Sequence, residues 1–99
     1  MKNLINGLNK AFESRIRLGI MSALAVNESL NFTALKEYLA VTDGNLASHL
    51  KALEKEEFIS LTKSFIDRKP NSEYALTVAG RKAFQAHIDV LEELIKNQK

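Results

Sequence analysis

Apolar positions along this chain keep two rhythms, and the place where one gives way to the other organises the whole sequence. Leu4, Ile5, Leu8 and Phe12 are spaced by three and four and predict a first helix despite Gly7. Ser14 is a cap for a second helix, Arg15 to about Val26, with Ile16, Ile20, Met21 and Leu24 facing inward. Asn27-Glu28-Ser29 ends it, and Leu30-Asn31-Phe32 suits a brief extended strand. Thr33 is read as the cap of a short helix, Ala34 to Leu39, that buries Leu35 and Leu39. Ala40-Val41 forms a tight connection, and Thr42 caps the next helix, which ends near Glu56 or Glu57. The pair Asp43-Gly44 is also a hairpin signal, but Leu46, Leu50 and Leu53 recur at helical spacing, so the helix is preferred.

The rhythm then changes to alternation. Ile59, Leu61, Lys63 and Phe65 fall on one side of an extended segment, with Ser60, Thr62 and Ser64 on the other. Asp67 to Ser72, which holds the chain's single proline, reads as the turn. Glu73 to Leu76 returns as the partner strand. Thr77 caps a terminal helix reaching about Asn97. The predicted fold class is mainly α with a small β-hairpin, in one domain spanning 1–99.

Composition narrows the function classes. Ninety-nine residues suffice for one modest core. No apolar run approaches the roughly 20 residues that span a bilayer, and the first eight residues lack the apolar run and cleavage site of a secretory signal. A cytoplasmic location and no membrane contact are the expectation. With no cysteine, thiolate metal sites and disulfides are excluded. Net charge is only +2, so a nucleic-acid partner has to be argued from where the charge lies.

The helix after Thr42 supplies that argument. With its leucines inward, Gly44, Asn45, Ser48, Lys51, Ala52 and Lys55 point outward. Gly44 leaves room for close backbone approach, and Thr42 with the free N–H groups behind it suits a phosphate. Asn45 can pair bidentately with adenine in the major groove, and Ser48 can meet several base edges. Lys51 is suited to phosphate, which positions a protein without reading sequence. Asp43, in the first turn, complements the helix dipole. Glu54, Glu56 and Glu57 lie at the far end of the helix.

The order helix, helix, strand, helix, helix, strand, strand, helix, together with Thr42-Asp43-Gly44-Asn45-Leu46, His49-Leu50 and Tyr74-Ala75-Leu76-Thr77-Val78-Ala79-Gly80-Arg81, resembles the small stand-alone winged-helix transcriptional regulators of the MarR/ArsR-like superfamily. The resemblance covers about Leu8 to Leu94. It implies a winged helix-turn-helix with extra N- and C-terminal helices, the helix-turn-helix over 33–57 and the wing over 58–76. It also implies a recognition helix at about 43–56 in the major groove of double-stranded DNA, and a palindromic operator as partner. The wing, through Lys63, Arg68 and Lys69, would reach the DNA backbone or minor groove, and a narrow groove favours Arg68. One departure stands out: such proteins usually carry glycine where Glu57 stands, in a left-handed conformation that costs an ordinary residue about 1–2 kcal/mol.

The terminal helix is broadly apolar. Phe84, Ile88, Leu91 and Ile95, with Leu4, Ile5 and Leu8, form the expected homodimer interface, between helices at 1–12 and 77–97. The alternative is that these helices pack on each other within one chain. His87 with Asp89, Glu92 and Glu93 lacks the paired histidines of a closed metal site, so neither metal nor cofactor is expected. No glycine-rich phosphate loop or nucleophile elbow appears, so the chain is not read as an enzyme. A competing reading, a winged-helix module that binds protein and no DNA, draws on the charge of residues 42–72, with five basic and five acidic side chains. Whether an effector ligand exists is open.

Overall fold

The computed structural model describes residues 4–96. Its core is built by α1 (Arg15–Val26), α2 (Phe32–Leu39) and α3 (Asp43–Lys55). A three-stranded antiparallel sheet lies beside them, made of β1 (Leu30–Asn31), β2 (Ile59–Ile66) and β3 (Lys69–Leu76) in the order β1-β3-β2. The terminal helix α4 (Val78–Lys96) follows. Ile20, Met21 and Leu24 of α1, Leu35 of α2, and Leu46, Leu50 and Leu53 of α3 are fully buried. They meet Ile59 and Tyr74 of the sheet and Phe84 of α4 in one apolar cluster. Tyr74 sits opposite Leu30 on one side and Leu61 on the other, which places its ring beneath the base of the hairpin.

Local capping explains most of the helix starts. The Ser14 hydroxyl accepts from Arg17 N–H at 3.3 Å, and the Thr42 hydroxyl accepts from Asn45 N–H at 3.2 Å. For α2 the expected cap is corrected: Asn31 Oδ1, not Thr33, accepts from Ala34 N–H at 2.8 Å, and the helix opens at Phe32. Asparagine is the stronger cap, and it does this while holding the end of β1. Ala40 closes α2 in the left-handed region (φ 53°) and turns the chain toward α3.

The N-terminal segment differs from its expected helix. Residues 4–12 form two single 3₁₀ turns, Ile5–Gly7 and Lys10–Phe12, separated by extended Leu8 and Asn9. Tertiary contacts override the periodicity here. A Cβ on Gly7 would lie 2.8 Å from Val90 Cγ2, so any larger residue would have to displace that methyl to keep this approach to α4. Asn9 N–H donates to His87 Nδ1 at 3.0 Å, and the Phe12 ring stands edge-on to Phe84 and to His87, with centroids at 5.7 and 5.2 Å. These contacts fix the segment along α4 of the same chain. The part of the expected helices at residues 1–3 and at Asn97 lies outside the described residues.

The hairpin is longer and its turn tighter than the sequence implied. Asp67 and Arg68 alone form the turn, both with positive φ (51° and 66°), as a two-residue primed turn requires. Lys69 to Ser72, expected in the turn, extend β3, and Pro70 pairs opposite Phe65.

Where α3 hands over to β2, Glu57 adopts φ 63°. It thus takes the left-handed geometry usually given to glycine, and its carbonyl accepts from Thr77 Oγ1 at 2.7 Å. Replacing Glu57 with glycine is expected to relieve up to about 1–2 kcal/mol of strain, partly offset by glycine's greater freedom in the unfolded chain. A thermal melt should show a midpoint raised by a few degrees; a lowered midpoint would show that the glutamate side chain itself stabilises the junction.

Candidate nucleic-acid interface

Helix α3 presents one continuous polar face. Thr42, Gly44, Asn45, Ser48 and Lys51 are all exposed, as the inward setting of Leu46, Leu50 and Leu53 dictates. Asn45, Ser48 and Lys51 make no side-chain hydrogen bond or ion pair among the described residues, so their donors and acceptors are available to a partner. A Cβ on Gly44 would meet nothing within 4 Å. No contact inside the chain therefore requires glycine, although in a helix it costs about 1 kcal/mol relative to alanine.

Charge around the start of α3 is arranged by residues outside it. Lys36 of α2 pairs with Asp43 at 2.8 Å across exposed surface, so the carboxylate nearest the polar face is neutralised locally. An exposed pair contributes at most about 1 kcal/mol of stability, but it changes the potential a phosphate would meet. Glu56 and Glu57 are exposed at the opposite end, roughly 20 Å along the helix from Thr42 at 1.5 Å per residue. The acidic cluster is therefore peripheral to the polar face rather than central to it.

His49 and Arg17 form a contact that sequence reading did not anticipate. Arg17 Nε donates to His49 Nδ1 at 3.0 Å, tying α1 to the middle of α3. The two residues lie 32 positions apart, and nothing in the local pattern pairs them. His49 is half-buried, and burial first, then the Arg17 guanidinium, holds its pKa below the ordinary 6.5. His87 is also lowered by burial, partly offset by Glu13, and its Nδ1 accepts from Asn9. Both histidines thus accept a hydrogen bond at the nitrogen that protonation would occupy.

The sign of the resulting pH dependence follows. With folded pKa values below the unfolded value, the unfolded chain binds more protons as pH falls. The stability contributed by the neutral imidazoles is complete above about pH 6.5 and is lost as pH drops through the folded values. Urea denaturation between pH 7.5 and about 5, above the ordinary carboxylate range, should show stability falling on the acidic side. In a protein carrying His49→Gln and His87→Gln that decline should flatten.

The hairpin carries Lys63, Arg68 and Lys69, all exposed and without side-chain partners among the described residues. Hydrogen bonds tie its base to β1 and to Ser29 just before it. Ser29 Oγ donates to Glu73 Oε2 at 3.0 Å, Asn71 Nδ2 donates to Glu73 Oε1 at 3.0 Å, and Asn31 Nδ2 donates to Asn71 Oδ1 at 3.4 Å. Asn71 is thereby engaged within the chain. Tyr74 is buried, and burial, then Glu54, raises its phenol above the ordinary value of 10.0. Its ring packs under the hairpin, between the strand partners Leu30 and Leu61.

The apolar residues expected at a dimer face divide. Phe84 is 8% exposed and belongs to the core of the single chain, against Phe12. Leu4, Leu8 and Leu91 are half-buried between the N-terminal segment and α4, whereas Ile5, Ile88 and Ile95 stay exposed at 68%, 37% and 71%. No helix among the described residues is long and apolar enough to cross a membrane.

This arrangement recurs in known proteins. The chain is 40% identical over 88 residues to an uncharacterized protein of Methanocaldococcus jannaschii, covering 89% of this chain and 96% of that one. It superposes on the structure of the transcriptional regulator homologue protein from Pyrococcus horikoshii OT3 with a TM-score of 0.88 at 27% identity, covering 97% of this chain and 96% of that one. The S. aureus MepR–DNA complex shares the fold, with a TM-score of 0.76 at 16% identity over 96% of this chain and 67% of that one. The family model described as a winged helix DNA-binding domain matches residues 16–95, from the start of α1 almost to the end of α4. Helix-turn-helix, wing and terminal helix are thus all accounted for, and the chain belongs to the winged helix DNA-binding domain family.

Proposed function

We propose that this protein is a sequence-specific transcriptional regulator that binds double-stranded DNA as a homodimer in the cytoplasm. Helix α3 enters the major groove, where Asn45 reads adenine through its amide and Ser48 contacts a neighbouring base edge. Thr42, Lys51 and the backbone at Gly44 hold phosphates and set the register. Lys63, Arg68 and Lys69 extend the contact along the backbone or into the minor groove. The observation that carries this reading is the face of α3: five outward residues, none but the Thr42 cap engaged within the chain, on a member of a DNA-binding family. The open space around Gly44 supports it, because a helix glycine that no internal contact needs is explained by close approach from outside.

Exposed Ile5, Ile88 and Ile95 line the face through which two copies pair, with the half-buried Leu4, Leu8 and Leu91 beneath. A two-fold dimer matches a palindromic operator, one half-site per recognition helix. The test is fluorescence anisotropy on DNA from upstream of the protein's own gene, with excess random competitor, across a salt series. Competitor-resistant binding that weakens steeply with salt is expected. Absence of binding even at low salt would overturn the proposal in favour of a protein-interaction module.

A further inference from the structure

The chain holds Arg17 in place without neutralising it. Its backbone N–H donates to the Ser14 hydroxyl in the first turn of α1, and its Nε donates to His49 Nδ1 at 3.0 Å. Arg17 forms no ion pair among the described residues. The acceptor it does have is an imidazole kept neutral near pH 7, by burial first and then by the guanidinium itself. Arg17 is half-buried, and a cation that gives up part of its water is ordinarily paired, because an uncompensated charge is costly to desolvate. The bond to His49 uses only Nε–H and leaves both terminal amino groups of the fork uncommitted.

The place of His49 on α3 fixes where those donors lie. It follows Asn45 by four residues and so stands on the same flank of the helix, one turn further along. Half-buried His49 marks the border between the inward leucines and the exposed polar face. An α-helix with its side chains is about 10–12 Å across, and the major groove is about 12 Å wide. A helix seated there fills the groove, and what projects from its flank meets a sugar–phosphate wall rather than a base edge. A guanidinium tethered to that flank offers paired N–H donors, the geometry that grips a phosphate through two oxygens.

We propose that Arg17 binds a DNA phosphate at the wall of the groove that α3 occupies, and that His49 is the positioning residue that aims it. This assignment rests on the DNA-binding reading above and adds to it a contact from α1, outside both the helix-turn-helix and the wing. One side chain then links α1, α3 and the duplex backbone. A phosphate gripped in this way fixes the angle at which α3 enters the groove, and so the register in which Asn45 and Ser48 meet the bases.

The experiment measures anisotropy of the intact protein on the upstream duplex across a salt series. Arg17→Gln, with its melt compared to the wild type, should bind about tenfold more weakly and lower the salt slope by about one. Arg15→Gln is the control for general charge, since residue 15 points roughly 200° away around α1, and it should keep affinity and slope. His49→Leu removes the acceptor and should weaken binding about threefold. His49→Asn restores an acceptor near the position of Nδ1 and should recover wild-type affinity. Joining His49→Leu to Arg17→Gln should weaken binding no further than Arg17→Gln does alone. Should Arg17→Gln melt far below the wild type, Arg17→Lys takes its place: it keeps the charge without the fork, and should hold the slope while losing affinity severalfold. If Arg17→Gln keeps affinity and slope, if Arg15→Gln lowers them equally, or if Arg17→Lys binds fully, the assignment fails while DNA binding stands. If the losses at 17 and 49 add, His49 does not act through Arg17. If the wild-type protein binds no duplex even at low salt, the DNA-binding reading fails first and this contact with it.

Discussion

Alanine at Gly80 is expected to remove about 3 kcal/mol of folding stability, a large share of the roughly 5–15 kcal/mol available to a small domain. A Cβ at this position would lie 1.9 Å from the carbonyl oxygen of Phe58 and 2.7 Å from its carbonyl carbon. These are backbone atoms and cannot rotate away, so α4 would have to lift from the start of β2. That movement would strain the contacts that seat α4. The Thr77 hydroxyl accepts from Gly80 N–H at 2.8 Å and donates to Glu57 O at 2.7 Å, while Thr77 N–H donates to Phe58 O at 3.1 Å. Phe58 in turn packs on Phe12, with ring centroids 5.5 Å apart. Chemical denaturation should report a markedly lower midpoint for Gly80→Ala, with the slope kept. The same substitution at Gly44, where a Cβ meets open space, should leave the protein as stable or more so. Stability unchanged or raised at both glycines would show that helix propensity, not the approach to Phe58, decides the effect.

Replacing Arg68 and Lys69 together with alanine is expected to weaken DNA binding about ten- to a hundredfold near physiological salt. If each side chain neutralises one phosphate, the slope of log affinity against log salt should fall by about two. Both residues are exposed and unpaired among the described residues, so the folded chain loses no internal contact and its melt should hardly change. Arg68 permits a sharper test. It holds φ 66° at a turn position where glycine fits better, which for an L-residue costs on the order of 1 kcal/mol. Arg68→Gly should therefore stabilise the protein slightly while weakening its hold on DNA. A variant that gains stability with full affinity and an unaltered salt slope would take the wing tip out of the interface.

Much of the architecture was legible from spacing alone. Leu46, Leu50 and Leu53 recur at helical intervals after a strong cap, and the structure buries all three. The alternation from Ile59 to Phe65 named a strand, and Thr77 named the start of α4. The outward residues of α3 could be listed because a helix whose inner face is known has a determined outer one. The N-terminal segment shows where this logic stops. Leu4, Ile5, Leu8 and Phe12 fit a helix, but a 3₁₀–extended–3₁₀ path instead seats Phe12 against Phe84 and His87 of α4 and leaves Ile5 exposed. Periodicity reports which residues want burial; it does not say against what.

The amino-acid sequence by itself determined the element order from α1 to α4, the inward leucines, the caps at Ser14, Thr42 and Thr77, and the polar face from Thr42 to Lys51. Each of these depends on neighbours within a few residues, where backbone geometry links spacing directly to position. Only the tertiary structure decided that Arg17 holds His49, that Lys36 neutralises Asp43, that His87 anchors Asn9, that Phe84 lies in the core and that Gly80 abuts Phe58. Those pairings join residues from 7 to 78 positions apart, and chain separation carries no information about contact until the elements between have packed.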